Sequence, residues 1–209
     1  MTIYPLSDEM DGAVIRVDDI TERMRLEEMM IQSEKMLSFA RKSEDILSSH
    51  RLEELMDRAL SLAETDYDMK KQHDFKQIEI IKNYAADLPE VFCEAAKIQQ
   101  VLLNILRNGA QAMQTAGTNR PRFTITIRHD PVRQILYAEI EDNGPGMEEE
   151  VRRRVFEPFF TTKPEGSGTG LGLSVSYFIV TDNHEGEMAV ASHPGAGTKF
   201  TIGLPVKRG

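Results

Sequence analysis

The stretch EAAKIQQVLLNILRNGAQAMQ (residues 94–114), followed by FTITIRHD (123–130) and QILYAEIED (134–142), decides the fold class. In the first segment Ile98, Val101, Leu102, Ile105 and Leu106 recur at three- and four-residue spacing, which places them on one face of a long helix with that stripe inward. In the other two, apolar and polar residues alternate with the period of two that belongs to half-buried strands, and Pro131 marks a turn between them, so they read as a hairpin. A helix with one apolar stripe and a hairpin with one apolar face each require a covering layer.

Working outward, FKQIEIIKNYA (75–85) reads as a strand, Glu148 to Val155 as a short helix and LGLSVSYFIVTDN (171–183) as another helix. GEMAVAS (186–192) and TKFTIGLPV (198–206) read as a second hairpin around the turn HPGAG (193–197). Strands and helices interleaved in this order imply an α/β fold, a two-layer sandwich over residues 75–209. Upstream, residues 21–66 read as helical. Leu52, Leu55, Met56, Ala59, Leu60 and Ala63 mark one clean helical face that should pack against a partner helix. Leu26, Met30, Leu37, Ala40 and Leu47 are spaced for a helix seam, which the polar Ser33 and Glu44 interrupt. Residues 1–20, where Ala13, Ile15 and Val17 alternate, look like the end of a β-rich unit and are too few to form a core alone.

The 209 residues can bury one good-sized core and carry a smaller appendage. With 40% hydrophobic and 28% charged residues the chain is of the soluble globular class. No apolar run approaches a membrane-spanning length, and MTIYPLSDEMDG is too polar for a signal peptide, so a cytoplasmic location is expected. The lone cysteine, Cys93, excludes an internal disulfide and a Cys-type zinc site, and reads as a small, half-buried apolar residue. A net charge of −9 argues against a nucleic-acid partner, whose phosphates are met by Lys and Arg. An acidic chain can still hold a nucleotide, with Mg²⁺ as the local positive charge and backbone N–H groups aimed at the phosphates.

Four features carry the chemistry. Asn104 and Asn108 lie four apart on the long helix, so both amides point the same way, and Gly109 and Ala110 follow where a bulky side chain would crowd a ligand. An amide oxygen is a hard ligand suited to Mg²⁺. Glu141-Asp142-Asn143-Gly144-Pro145-Gly146 ends a strand on a carboxylate and turns on two glycines that let a flat ring approach the backbone. Phe156 to Lys163 sets three aromatics in an aperiodic stretch ending in a cation. Gly166-Ser167-Gly168-Thr169-Gly170-Leu171-Gly172-Leu173 runs glycines into a helix N-terminus, an arrangement that offers N–H donors to phosphate.

Taken in order, LLNILRNGAQAM (102–113), DNGPGM (142–147), FEPFFTTK (156–163) and GTGLGLS (168–174) resemble the N, G1, F and G2 boxes of the GHKL ATP-binding superfamily, and within it the sensor histidine kinases. The closing SHPGAGTKFTIGLP (192–205) is similar to that family's last hairpin. The resemblance implies a Bergerat-type sandwich over 75–209 that takes ATP and Mg²⁺ under a lid from Phe156 to Gly170. It implies that Asp142 accepts the adenine amino hydrogen with Thr198 nearby through a water, and that Asn108 ligates Mg²⁺ while Asn104 helps hold the triphosphate. Gly144 and Gly146 would shape the adenine pocket, Lys163 would belong to the lid, and Gly168, Thr169, Gly170, Leu171 and Gly172 would meet the phosphates. Many relatives carry a basic residue shortly after the second Asn; this chain has Gln111, so the task falls to Arg107 or Lys163.

Relatives that hydrolyse ATP carry a general-base Glu four positions before the Mg-binding Asn; here that position is Asn104, which cannot take a proton at neutral pH. That points to phosphoryl transfer, not hydrolysis. Upstream, DGAVIRVDDITERMRLEE (11–28) resembles the exit of a PAS sensor domain, and residues 37–65, especially LSFARKSED (37–45), resemble the second dimerisation helix of a kinase and its linker to the ATP domain. The phosphoacceptor helix is missing between them, as though Met36 were joined straight to Leu37. None of His50, His73, His129, His184 and His193 has the acidic and Pro neighbours of an acceptor. The expected partners are a response regulator or another histidine kinase, with a possible homodimer through 21–63. The alternatives are a non-catalytic nucleotide-binding regulator and an anti-sigma-type serine kinase.

Overall fold

A computed structural model describes residues 47–65, 75–163 and 169–206, together with the backbone of Ile3–Pro5 and Ala13–Ile15. The seam residues Leu26, Met30, Leu37 and Ala40, and Gly166, Ser167 and Gly168 of the glycine run, lie outside the described residues. Met1–Glu44 and Asp45–Gly209 are separate units. In the first, β1 (Ile3–Pro5) pairs antiparallel with β2 (Ala13–Ile15), with Ile3 opposite Ile15.

In the second unit the chain runs β3 (Ser48–His50), α1 (Leu52–Thr65), a 3₁₀ turn (Phe75–Gln77), β4 (Glu79–Tyr84), β5 (Val91–Cys93) and α2 (Ala95–Thr115). It continues through β6 (Arg122–Asp130), β7 (Ile135–Asp142), α3 (Glu149–Arg154), α4 (Gly172–Phe178), a π-helical turn (Ile179–Asn183), β8 (Glu187–Ser192) and β9 (Thr198–Pro205). Five strands form one sheet in the order β4-β6-β7-β9-β8. Only β4 and β6 are parallel, and α2 lies on the crossover that parallel neighbours require. The two hairpins form as the alternation predicts, β6 with β7 and β8 with β9, both antiparallel.

Alternation along the central strands sorts the two faces of the sheet. Phe123, Ile125 and Ile127 of β6 and Leu136, Ala138 and Ile140 of β7 are fully buried, as are Ile202 and Leu204 of β9. Polar residues, among them Thr124, Thr126, Glu139 and Glu141, fill intervening positions of β6 and β7. The apolar stripe of α2 is buried in the same core, and fully burying each such side chain is worth roughly 1.5–3 kcal/mol, so this one helix anchors the layer. The α/β two-layer sandwich is therefore present. The apolar face of α1 finds its partner helix inside the chain, in α2, so α1 belongs to the Asp45–Gly209 unit and not to a separate helical segment ending at 66. Its buried face is not available to a homodimer through 21–63.

Several local expectations differ. Only Glu79–Tyr84 of FKQIEIIKNYA is strand; Phe75 begins a 3₁₀ turn and stacks on Phe123 with ring centroids 6.0 Å apart. The β3–β5 pair was not legible, since each strand is three residues long. Cys93 on β5 is fully buried, not half-buried, and burial pushes its thiol up to about 12, which leaves it a packing residue. The last helix divides at Ile179, because the Ile179 carbonyl accepts from the His184 ring (2.7 Å) and the Val180 carbonyl from Gly186 N–H (2.9 Å). The second ring nitrogen of His184 accepts from Glu94 N–H at 3.0 Å, so this histidine is committed to structure at the start of α2. The far end of α2 closes in a Schellman motif, with Gly117 at φ +61° and Thr118 N–H on the Met113 carbonyl at 2.8 Å. Among the described residues no helix is long and apolar enough to cross a membrane.

Gly109 shows how close α2 lies to the sheet. A Cβ there would sit 2.6 Å from Phe123 Cε1 and 3.3 Å from Asp142 Oδ2. Alanine is the better helix former by up to about 1 kcal/mol. Because Phe123 is fully buried and cannot swing away, we expect Gly109→Ala to destabilise the fold by roughly 1–3 kcal/mol all the same. Urea unfolding followed by circular dichroism checks the sign; a raised midpoint would show that the sheet can give way.

Candidate functional site

The C-terminal end of β7 delivers Asp142 to the sheet edge beside the long helix, 6% exposed and so nearly dry. Gly144 N–H reaches one carboxylate oxygen at 2.9 Å, and the backbone N–H of Thr198, its opposite number on β9, bonds it too. Burial raises the carboxyl to about 6 although both donors pull it down, with the Glu141 charge adding to the rise. Its acceptor capacity is not exhausted by two N–H groups, because an ionised carboxylate has about four lone-pair sites.

The loop that follows is clamped to the last hairpin. Gly146 has φ +70°, and a Cβ on it would lie 1.9 Å from the His193 carbonyl oxygen, so the glycine is required by backbone packing as well as by any ligand. Ser192 Oγ accepts from Met147 N–H (2.9 Å), lies 3.0 Å from Thr198 Oγ1 and donates to the Gly197 carbonyl (2.9 Å). Asn143 holds the other side, accepting from Arg122 N–H at 2.8 Å and donating to the Arg120 carbonyl at 3.0 Å.

Between this loop and α2 opens a cavity of about 670 Å³. Asn104, Asn108, Asp142, Gly146, Lys163, Thr169, Gly170, Gly172 and Thr198 all line it. Gly144 does not, and its contribution is the N–H to Asp142. Leu171 does not line it either; it precedes the first residue of α4. Gly168 lies outside the described residues. Thr198 N–H bonds the Asp142 carboxylate, so the two residues are adjacent in the cavity wall.

The two amides are differently engaged. Asn104 Nδ2 donates to the Gly172 carbonyl and to Ser176 Oγ, both at 3.3 Å, and so ties α4 to α2. Asn108 Oδ1 points into the cavity and already meets a cation, the Lys163 ammonium at 3.2 Å. An amide oxygen that accepts an ammonium suits a hard divalent ion, so the donor fits Mg²⁺. Among the described residues no group of three or more His, Cys, Asp or Glu could hold a metal by itself. A metal here would have to bring other ligands with it, such as phosphate oxygens.

The aromatics of 156–163 cover apolar surface. Phe156 packs on Tyr177 (5.1 Å between centroids) and edge-on to Phe200 (6.3 Å), while Phe160 lines the cavity under the Arg154 guanidinium at 4.3 Å. Phe159 N–H donates to the Gly170 carbonyl at 3.0 Å, with Phe159 at φ +64° and Gly170 at φ +66°, which joins the two ends of the stretch predicted as a lid. Sequence reasoning missed Ser192 and Gly197. A Cβ on Gly197 would lie 2.0 Å from the Asp142 carbonyl oxygen, and its signal was a glycine directly before a strand. Of the apolar lining residues, Met147, Leu173 and Phe200 fall inside the quoted motifs with no role assigned to them, and Val155 carried no signal beyond hydrophobicity.

Comparison with known proteins agrees with this geometry. Residues 93–208 match the family model described as histidine kinase-, DNA gyrase B-, and HSP90-like ATPase. The chain is 36% identical over 140 residues to sporulation kinase E of Bacillus subtilis (strain 168), covering 67% of this chain and 18% of that one. It is 35% identical over 136 residues to the sensory histidine kinase/phosphatase NtrB of Escherichia coli O157:H7, covering 63% and 38%. The chain thus spans well under half the length of these curated relatives. Among solved structures, the catalytic domain of histidine kinase ThkA superposes with a TM-score of 0.63 at 25% identity, over 78% of this chain and 99% of that one. With more than half its length matched by the family model, and with the carboxylate, the amides and the glycines lining one cavity, this chain belongs to the histidine kinase-, DNA gyrase B-, and HSP90-like ATPase family.

Proposed function

We propose that Asp45–Gly209 is the ATP-binding catalytic domain of a two-component sensor histidine kinase, working in the cytoplasm and passing the γ-phosphoryl group of ATP to a histidine on another helix. The observation that carries this reading is the convergence of Asp142, Asn108 and the Gly170–Gly172 stretch on one cavity. Asp142 accepts the adenine amino hydrogen on its remaining lone pairs. Asn108 Oδ1 is the protein ligand of Mg²⁺, and the ion supplies charge neutralisation to the phosphates. Asn104 acts by holding the start of α4, where Thr169, Gly170 and Gly172 line the phosphate side.

Asp142 is the one carboxylate lining the cavity among the described residues, and it is held by two backbone N–H groups. With an amide at 104 no side chain there is suited to activate water, which supports transfer over hydrolysis. In the transfer the bond from the γ-phosphorus to the β–γ bridging oxygen breaks and a bond to an imidazole nitrogen forms, with ADP leaving. The acceptor histidine comes from a partner, another histidine kinase, since residues 21–63 of this chain hold only His50, which lacks an acceptor's neighbours; a response regulator then receives the phosphoryl group. The PAS-like reading of residues 1–20 makes the upstream unit the signal input. Incubating the chain with γ-labelled ATP and a separate acceptor-helix dimer should label the dimer, and label released only as free phosphate would point to an ATPase instead.

Two variants test the ligand assignments. Asp142→Asn removes a charge-assisted hydrogen bond worth roughly 1.5–3 kcal/mol, so ATP affinity by calorimetry should fall about tenfold or more. Asn108→Ala should abolish most of the Mg²⁺ enhancement of ATP binding and leave the circular dichroism spectrum unchanged; equal binding with and without Mg²⁺ in the parent would refute the assignment. The pH dependence has a definite sign. The Asp142 carboxyl is raised to about 6, so it is anionic above that value and neutral below. Adenosine, whose lack of phosphates removes their own titration, should therefore bind more weakly as pH falls through about 6, and Asp142→Asn should flatten that profile.

A further inference from the structure

The structure assigns Ser192 as a positioning residue for base selectivity. By taking the hydroxyl hydrogen of Thr198 it leaves only acceptors at the Asp142 end of the cavity, which favours a purine with an amino group at C6 over one with an oxygen acceptor there. The inference rests on the nucleotide-binding reading above and adds to it a residue that does not line the cavity at all.

Asp142, Thr198 and Ser192 stand side by side across three strands. Thr198 of β9 pairs with Asp142 of β7 on one side and with Ser192 of β8 on the other. All three are buried, at the end of a sheet face that continues two residues on with the buried Ile140 and Phe200. Buried hydroxyls keep their hydrogens bonded, so the donors of this row can be counted. Ser192 has one hydroxyl hydrogen, and it goes to the Gly197 carbonyl at 2.9 Å. Its oxygen accepts from Met147 N–H at 2.9 Å, which leaves one lone pair. Thr198 Oγ1, 3.0 Å away, fills that lone pair with its own hydrogen. The reverse direction would take the Ser192 hydrogen from the Gly197 carbonyl.

With its hydrogen committed to Ser192, the Thr198 hydroxyl presents lone pairs alone to a ligand. Thr198 and Asp142 both line the cavity, and at neutral pH the carboxylate has no hydrogen to give either. Such a wall sorts purines by the group at C6. An amino group brings hydrogens to it, whereas an oxygen sets lone pair against lone pair and leaves buried acceptors unmet, which costs binding. A Thr198 hydroxyl free to turn into the cavity would donate to that oxygen and blur the distinction. Ser192 removes this freedom from behind the wall.

The test is calorimetric titration of the full chain with adenosine and with 6-methoxypurine riboside, which carry an amino donor and an oxygen acceptor at C6 and the same bare N1. The readout is the affinity for the methoxy compound relative to adenosine. Ser192→Ala frees the Thr198 hydroxyl and should raise this ratio about three- to tenfold. With valine already in place of Thr198, adding Ser192→Ala should leave the ratio where it was, which separates control of the hydroxyl from a general loosening of the loop that Ser192 holds. Thr198→Val alone should keep or raise the ratio, because a hydroxyl that only accepts gives nothing to the methoxy oxygen. An unchanged ratio in Ser192→Ala overturns the inference, as does an equal rise in the Thr198→Val background. A ratio that falls in Thr198→Val overturns it too, and that variant decides alone should Ser192→Ala bind neither nucleoside. A parent chain that does not bind adenosine overturns the nucleotide reading itself.

Discussion

A carboxylate buried at the end of a central strand is the constraint to which the rest of the unit conforms. Asp142 is nearly dry, and an uncompensated charge there is costly, so the surrounding backbone is bent to supply donors. Gly144 turns tightly enough to aim its N–H back at the side chain; a Cβ there would lie 2.7 Å from Asp142 Oδ1. Gly197 lets the last hairpin close against the Asp142 carbonyl, which brings Thr198 into register as the second donor. Gly109 removes side-chain bulk from α2 where the carboxylate passes. Three glycines from three separate elements thus serve one acid, and Ser192 locks two of those elements together.

The same arrangement divides labour between sheet and helix. The β7–β9 edge holds an acceptor of fixed position, suited to recognition of a flat, hydrogen-bearing ring. α2 holds amide oxygens and a lysine brought from elsewhere, suited to a metal-bound anion. Because the helix buries its apolar stripe against the sheet, the spacing between the two ends is set by core packing and not by the loops. Asn104 extends that rigidity to α4, so the glycine stretch starts from a helix whose place is fixed.

Much of this was legible in the sequence because it follows from period and from residue chemistry. The stripe of α2 and the alternation of β6 and β7 were strong, long signals, and the structure pairs them as read. The cavity gathers residues from four motifs that are individually weak, and their order was what carried the information. What could not be read depends on three-dimensional neighbours. The β3–β5 pair is too short to show a period, and the break in the last helix comes from a histidine ring and a glycine reaching back to two carbonyls. The reason for Gly146 is a carbonyl from a hairpin 47 positions on, at His193, which no local pattern announces. Asn104 was legible as an amide in the right place, but its tie to Gly172 and Ser176 was not, since those partners are on another helix.

The acid that organises the site also weakens the fold that carries it. Its folded value of about 6 lies above the ordinary 3.8, a difference of about two units, which corresponds to roughly 2–3 kcal/mol. Because the folded state holds the proton more tightly, that stabilisation is fully present below the ordinary value and is lost as pH rises through about 6. At neutral pH the domain therefore carries an ionised group that would be better solvated in the unfolded chain. Two backbone donors offset part of that cost, and a bound ring donating to the remaining lone pairs would offset more. A substitution that removed the buried charge would relieve this cost of folding and would remove the acceptor with it.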